Sequence, residues 1–159
     1  MTDFDPADAG LSLLSLFAGW GLADDLQRRL AADGFDDSRF ADGVVFQHLI
    51  ERPLAIGVLA ERLGVTQQGA SKSVADLERR GYLVRRADPA DARARLVDLT
   101  ERGRGVITAA RRHRAAIEGE VITALGAERV DAARLLLADV LTHLGADAPL
   151  RMRRAKPPR

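Results

Sequence analysis

The chain contains no cysteine, three histidines, one tryptophan and one tyrosine. Without thiols, disulfide bridges, thiolate metal sites and cysteine-based redox sensing are all excluded. The histidines, His48, His113 and His143, are scattered and form no HExxH-type metal spacing. A Gly-rich phosphate loop and a nucleophile elbow are also missing. Asp88 and Asp91 stand beside arginines in a turn-like stretch, so loop chemistry accounts for them without catalysis. The residues give no support to an enzyme or to a cofactor. Nor is there an apolar run of about 18 residues, or a basic N-terminal region followed by an apolar one. A transmembrane span and a secretory signal are therefore not expected, and the expected location is the cytoplasm.

What is present fits a protein with a real core: 159 residues, 47% of them hydrophobic and 30% charged. That length suits one compact domain with helical arms. The net charge of +1 conceals an asymmetry. Residues 1–66 carry 5 basic and 11 acidic groups, whereas residues 67–114 carry 12 basic and 6 acidic ones. A basic block in a near-neutral chain suits a polyanion-binding face, because phosphate neutralisation acts locally. A solvated charged surface is the other reading of the same block.

The periodicity divides the chain into five parts. Residues 1–8 form a loose acidic lead-in, and 9–50 hold two helices. The first, about Ala9 to Ala32, has Leu11, Leu14, Ala18, Leu22, Leu26 and Leu30 on one face, widened by Leu13, Leu16, Phe17 and Trp20. Gly34 closes it, and Asp36, Asp37 and Ser38 offer caps for a second helix to about Ile50. Residues 51–100 carry a brief strand at Leu54–Ala55, a helix from Ile56 to the Gly64 turn, and a helix over 67–80 capped by Thr66. Strands over 82–86 and 95–99 follow, joined by a loop over 87–93. Residues 101–146 hold a helix capped by Thr100 and broken at Gly126, then one from Ala127 to Leu144. Residues 147–159 are a basic tail expected to be disordered.

Two short helices with glycine in the turn describe a helix-turn-helix. Ala60 and Ala70 are small enough for close approach of the two backbones. In the second helix Ala70, Val74 and Leu77 form a narrow buried line, leaving Gln67, Gln68, Ser71, Lys72, Ala75 and Arg79 outside. Glutamines near a helix start can donate to and accept from base edges in the major groove, and Ser71 and Lys72 suit bases or phosphates. Alone, the pair is shared by many helical domains. The hairpin directly after it, with Arg85, Arg86, Arg93 and Arg95, adds a wing whose arginine can enter a narrow, electronegative minor groove.

At this point the sequence resembles the MarR-type (multiple antibiotic resistance) regulators. The resemblance rests on residues 59–66 (LAERLGVT), 70–84 (ASKSVADLERRGYLV), 88–93 (DPADAR) and 96–103 (LVDLTERG). Most specific is Asp91-x-Arg93 followed by Val97-x-Leu99-Thr100. It implies a mainly α fold with a small β-hairpin, a winged helix-turn-helix between N- and C-terminal helical dimerisation arms. It further implies that Arg93 enters the minor groove and that Asp91 positions it. Gln67, Gln68, Ser71 and Lys72 then lie on the recognition helix, with Arg86 and Arg95 beside the wing. Ala92 stands where a second basic residue is common, and Gly69 weakens its helix by roughly 1 kcal/mol.

The partners so implied are double-stranded DNA and a second copy of the chain, since one wing module reads few base pairs. The expected function is a homodimeric repressor on a palindromic operator. The resemblance also implies release by a small aromatic effector, for which Phe17, Trp20, Phe46, His48 and His113 could line a cleft; core packing is the other reading of these five. The missing cysteine speaks against the peroxide-sensing members. A winged-helix dimer serving as a ligand-binding or protein-interaction module without DNA binding is the alternative.

Overall fold

The structure, a computed structural model, describes residues 5, 8–90 and 94–148. It contains six helices and a three-stranded sheet among these residues. Helix α1 (Leu11–Ala32) ends where Gly34 takes a φ of 87°, a conformation that favours a residue without Cβ. Helix α2 spans Asp42–Leu49, strand β1 Leu54–Ala55 and helix α3 Ile56–Leu63. Gly64 again turns left-handed, with φ 68°, and α4 (Gln67–Arg79) begins three residues later. Strands β2 (Leu83–Ala87) and β3 (Arg95–Leu99) form the hairpin, and α5 (Glu101–Leu125) and α6 (Ala127–His143) close the chain.

The sheet is antiparallel in the order β1-β3-β2, with Leu54 opposite Val97 and Leu83 opposite Leu99. Inward-facing Leu54, Leu83, Val97 and Leu99 meet Leu59, Val74 and Leu77 of the helix pair. Leu26 and Leu30 of α1, Phe46 and Leu49 of α2 and Val106 of α5 complete one continuous core. The core thus lies between the winged helix and the C-terminal half of α1.

The second helix departs from expectation. It starts at Asp42, and no side chain caps it. The Asp37 carboxylate accepts hydrogen bonds from the Tyr82 hydroxyl and from Arg102 instead of backbone amides. Those partners arrive only when the hairpin and α5 fold against the loop. Asp98 is a buried carboxylate within β3. It is tolerated because Arg104 Nη2 lies 3.0 Å and Arg86 Nε 3.4 Å from its oxygens.

The candidate nucleic-acid interface

Helix α4 is set by local chemistry. Thr66 Oγ1 accepts from the Gly69 amide at 3.1 Å, satisfying one of the first-turn donors that a helix leaves open. Ala70, Val74 and Leu77 are 0–1% exposed. Gln67, Gln68 and Lys72 are exposed on the other side, and Ser71 is half-buried.

The hairpin begins two residues past Gly81, which has φ 78°. Arg86 pairs across the ladder with Leu96 and Ala87 with Arg95. The side chains of Arg86 and Arg95 are exposed, but Arg86 is restrained by the buried Asp98 beside it. Arg85 lies 3.2 Å from Glu78 at the end of α4, so the wing stem is tied to the helix. At the foot of the wing the Asp88 amide donates to the Ala94 carbonyl at 3.1 Å, and the Asp88 side chain accepts from Ala90 N at 2.9 Å. This is the turn chemistry that an aspartate two residues ahead of an amide provides. Asp91 and Arg93, like Ala92, lie outside the described residues.

A polar cluster under this surface was not visible in the sequence. Arg80, the C-cap of α4, forms a two-pronged ion pair with Asp42 (2.6 and 3.0 Å) and also bonds Asp76. Tyr82, fully buried, donates its hydroxyl to Asp37 and packs under the Arg102 guanidinium, 4.8 Å from the ring centre. The Asp76–Arg80 spacing along one helix is readable as a helical ion pair. The contacts to Asp37 and Asp42 span about forty residues and carry no local signal.

Hydrogen bonding by Tyr82, and then the Arg102 charge, hold Asp37 below the ordinary carboxylate range. Burial, followed by the hydrogen bond to Asp37, pushes the Tyr82 phenol up to about 12. The unfolded phenol ionises near 10. The folded state therefore holds this proton more tightly, and its contribution is complete below pH 10 and lost as pH rises towards 12. Because the chain has a single tyrosine, absorbance at a tyrosinate band reports this group alone. An ultraviolet titration should show a midpoint near 12, moving to near 10 in denaturant. A native midpoint near 10 would contradict the burial described.

The five residues considered for an effector cleft do not converge. Phe17 and Trp20 pack edge-to-face at 5.1 Å on the exposed part of α1. Phe46 is in the core, 5.6 Å from the Tyr82 ring. His113 Nε2 lies 2.6 Å from Asp33 Oδ2, joining α5 to the end of α1. His48 is half-buried on α2. Helical spacing tells which residues share a face, but not which faces meet. Two openings lie elsewhere. One of about 70 Å³, between α1, α2 and α5, has Phe46 in its wall together with Arg39, Arg111 and Arg114. The other, of about 390 Å³, lies between α1, α5 and α6 and is lined by Leu22, Leu26, Ile117 and Val121, with Arg114 and Glu118. Phe17, Trp20, His48 and His113 line neither.

Among known families, residues 42–94, from the start of α2 to the foot of the wing, match the MarR family. No curated protein sequence matches the chain. The MarR-type architecture extends beyond the matched residues, as solved structures show. The YusO protein from Bacillus subtilis superposes with a TM-score of 0.64 at 22% identity, covering 83% of this chain and 91% of that one. MepR, a transcription regulator of the Staphylococcus aureus multidrug efflux pump MepA, superposes with a TM-score of 0.65 at 19% identity, covering 86% and 99%. The S. aureus MepR–DNA complex gives 0.62 at 19% identity, over 86% and 99%. At these identities the likeness is one of fold: this chain has the fold of MarR-type transcriptional regulators. Among the described residues, no helix is long and apolar enough to cross a membrane.

Proposed function

We propose that the protein is a homodimeric transcriptional regulator, a repressor, that reads a palindromic operator. Helix α4 enters the major groove with Gln67 and Gln68 at base edges and Ser71 and Lys72 at bases or phosphates. The wing reaches the minor groove through Arg93, positioned by Asp91, while Arg86 and Arg95 meet the backbone. One observation carries this reading: the polar face of α4 is solvent-exposed beside the hairpin, while Ala70, Val74 and Leu77 fasten the opposite face to the core. The solved MepR–DNA complex supports it by fold.

Dimerisation is supported by what one chain leaves uncovered. Leu11, Leu13, Leu14, Leu16, Phe17 and Trp20 of α1 are exposed, as are Leu135, Leu136 and Leu137 of α6, a helix with no buried residue. Large apolar side chains left exposed in such number mark an interaction site. A small aromatic effector finds its space in the 390 Å³ opening bordered by Arg114.

The test is selection of duplexes from a randomised library, followed by affinity measurements at rising salt. We expect a palindrome to be enriched and its binding to weaken by an order of magnitude or more between about 50 and 200 mM salt. Arg93→Ala should weaken it roughly tenfold and leave the dimer intact. Failure to enrich any duplex, or salt-independent binding, would leave the ligand-binding or protein-interaction module as the better reading.

A further inference from the structure

We propose that Arg80 is the positioning residue that fixes the roll of α4 and so sets which base edges it reaches; this rests on the DNA-binding reading above. A guanidinium has five N–H groups, and here each has an acceptor. Nε donates to Asp76 Oδ2 at 3.0 Å, and Nη2 donates to that oxygen at 2.7 Å and to Asp42 Oδ1 at 3.0 Å. Nη1 donates to Asp42 Oδ2 at 2.6 Å and to the Asp37 carbonyl at 2.8 Å. The Arg80 and Asp42 side chains are each only 10% exposed, so the pair is shielded from water and salt. Asp42 is itself fixed, its Oδ2 accepting from the Arg39 amide at 2.8 Å. The foot of α4 is thereby bolted to the first residue of α2.

The position of the bolt matters. Ala70, Val74 and Leu77 lie along one line, which holds α4 at its distance from the core but resists rotation about that line weakly. At about 100° per residue, Arg80 projects roughly a quarter turn away from the line. A lateral fork there opposes roll. Side-chain tips lie about 5–6 Å from a helix axis, so a roll of roughly 10° carries Gln67, Gln68 and Lys72 about 1 Å sideways. A paired hydrogen bond to a base edge does not survive such a shift, whereas attraction to phosphate charge barely changes.

This distinction provides the test. Arg80→Lys keeps the charge, but a single ammonium cannot bridge Asp42, Asp76 and the Asp37 carbonyl. Asp42→Asn keeps the shape and loses the charged fork. Each variant is measured against the duplex enriched by the wild-type protein and against a scrambled duplex of equal length. We expect affinity for the enriched duplex to fall about tenfold, the worth of one base-pair contact, with scrambled binding within about twofold of wild type. The double variant should be no worse than the weaker single one, because both break the same joint. A purely structural role would lower the folded fraction and reduce both affinities together. That result, an unchanged ratio in folded variants, or failure of both variants to fold would overturn the inference. If the wild-type protein enriches no duplex, the DNA-binding reading itself falls, an outcome distinct from a selective wild type with equally selective variants.

Discussion

Replacing Gly103 by alanine should lower the melting temperature by roughly 6–12 °C, taking an overpacking penalty of about 3 kcal/mol in a chain of this size. The same change at Gly105 should leave it unchanged or raise it slightly. The difference lies in what each added methyl meets. Thr100 draws the first turn of α5 onto the end of α4: its amide donates to the Tyr82 carbonyl at 3.0 Å and its hydroxyl to the Gly81 carbonyl at 2.6 Å. Thr100 Oγ1 also accepts from the Gly103 amide at 3.0 Å, which brings Gly103 against the same backbone. A Cβ at Gly103 would overlap the Tyr82 carbonyl oxygen and stand 3.0 Å from Leu99 Cδ2. The carbonyl is held by Thr100 and cannot swing away without breaking the cap. At Gly105 the methyl would only touch the Phe35 ring at 3.4 Å, and alanine favours the helix by up to about 1 kcal/mol. Calorimetry on the two variants decides the matter. Equal melting temperatures would mean that α5 does not approach Tyr82 this closely.

The contrast between these glycines also shows where the sequence is informative. Gly64, Gly81 and Gly126 were legible because each follows a helical run and permits a positive φ, a purely local requirement. Thr66 and Thr100 were legible as caps for the same reason. Gly103 was not, since its constraint comes from a carbonyl brought there by a tertiary contact. Helix α4 was the most legible part of the candidate site: a narrow apolar line facing a polar one needs only the helical period. The cluster beneath it was hidden, because Tyr82 finds Asp37 at a separation of 45 residues and Arg102 finds it at 65. The start of α2 was misplaced by the same contacts. The burial of Asp98 is explained by its two arginine partners, Arg86 and Arg104, one of them on the next helix.

Leu136→Glu should convert the proposed dimer to a monomer and weaken binding to the proposed operator by roughly 100-fold or more, because two tethered half-site contacts become one. The stripe on α1 was too wide for one core contact, and within one chain its first half stays uncovered, with Phe17 at 59% and Trp20 at 57% exposure. Leu136, at 50%, lies on α6, which packs against α5 while burying none of its own residues. A glutamate there leaves the core of the single chain intact. In a two-fold dimer, however, the substitution occurs twice, and each carboxylate taken out of water without a partner costs several kcal/mol. Light scattering reads the mass, and the single tryptophan supplies an independent report from the other arm. If α1 and α6 belong to one interface, Trp20 emission must shift to the red in the variant, and in the wild type on dilution, although residue 136 is far from it in sequence. Loss of the dimer with unshifted emission would place Trp20 outside the interface, and a persistent dimer would remove α6 from it. Only the coupled result makes the exposed leucines of α6 and the aromatic pair of α1 two sides of the same contact.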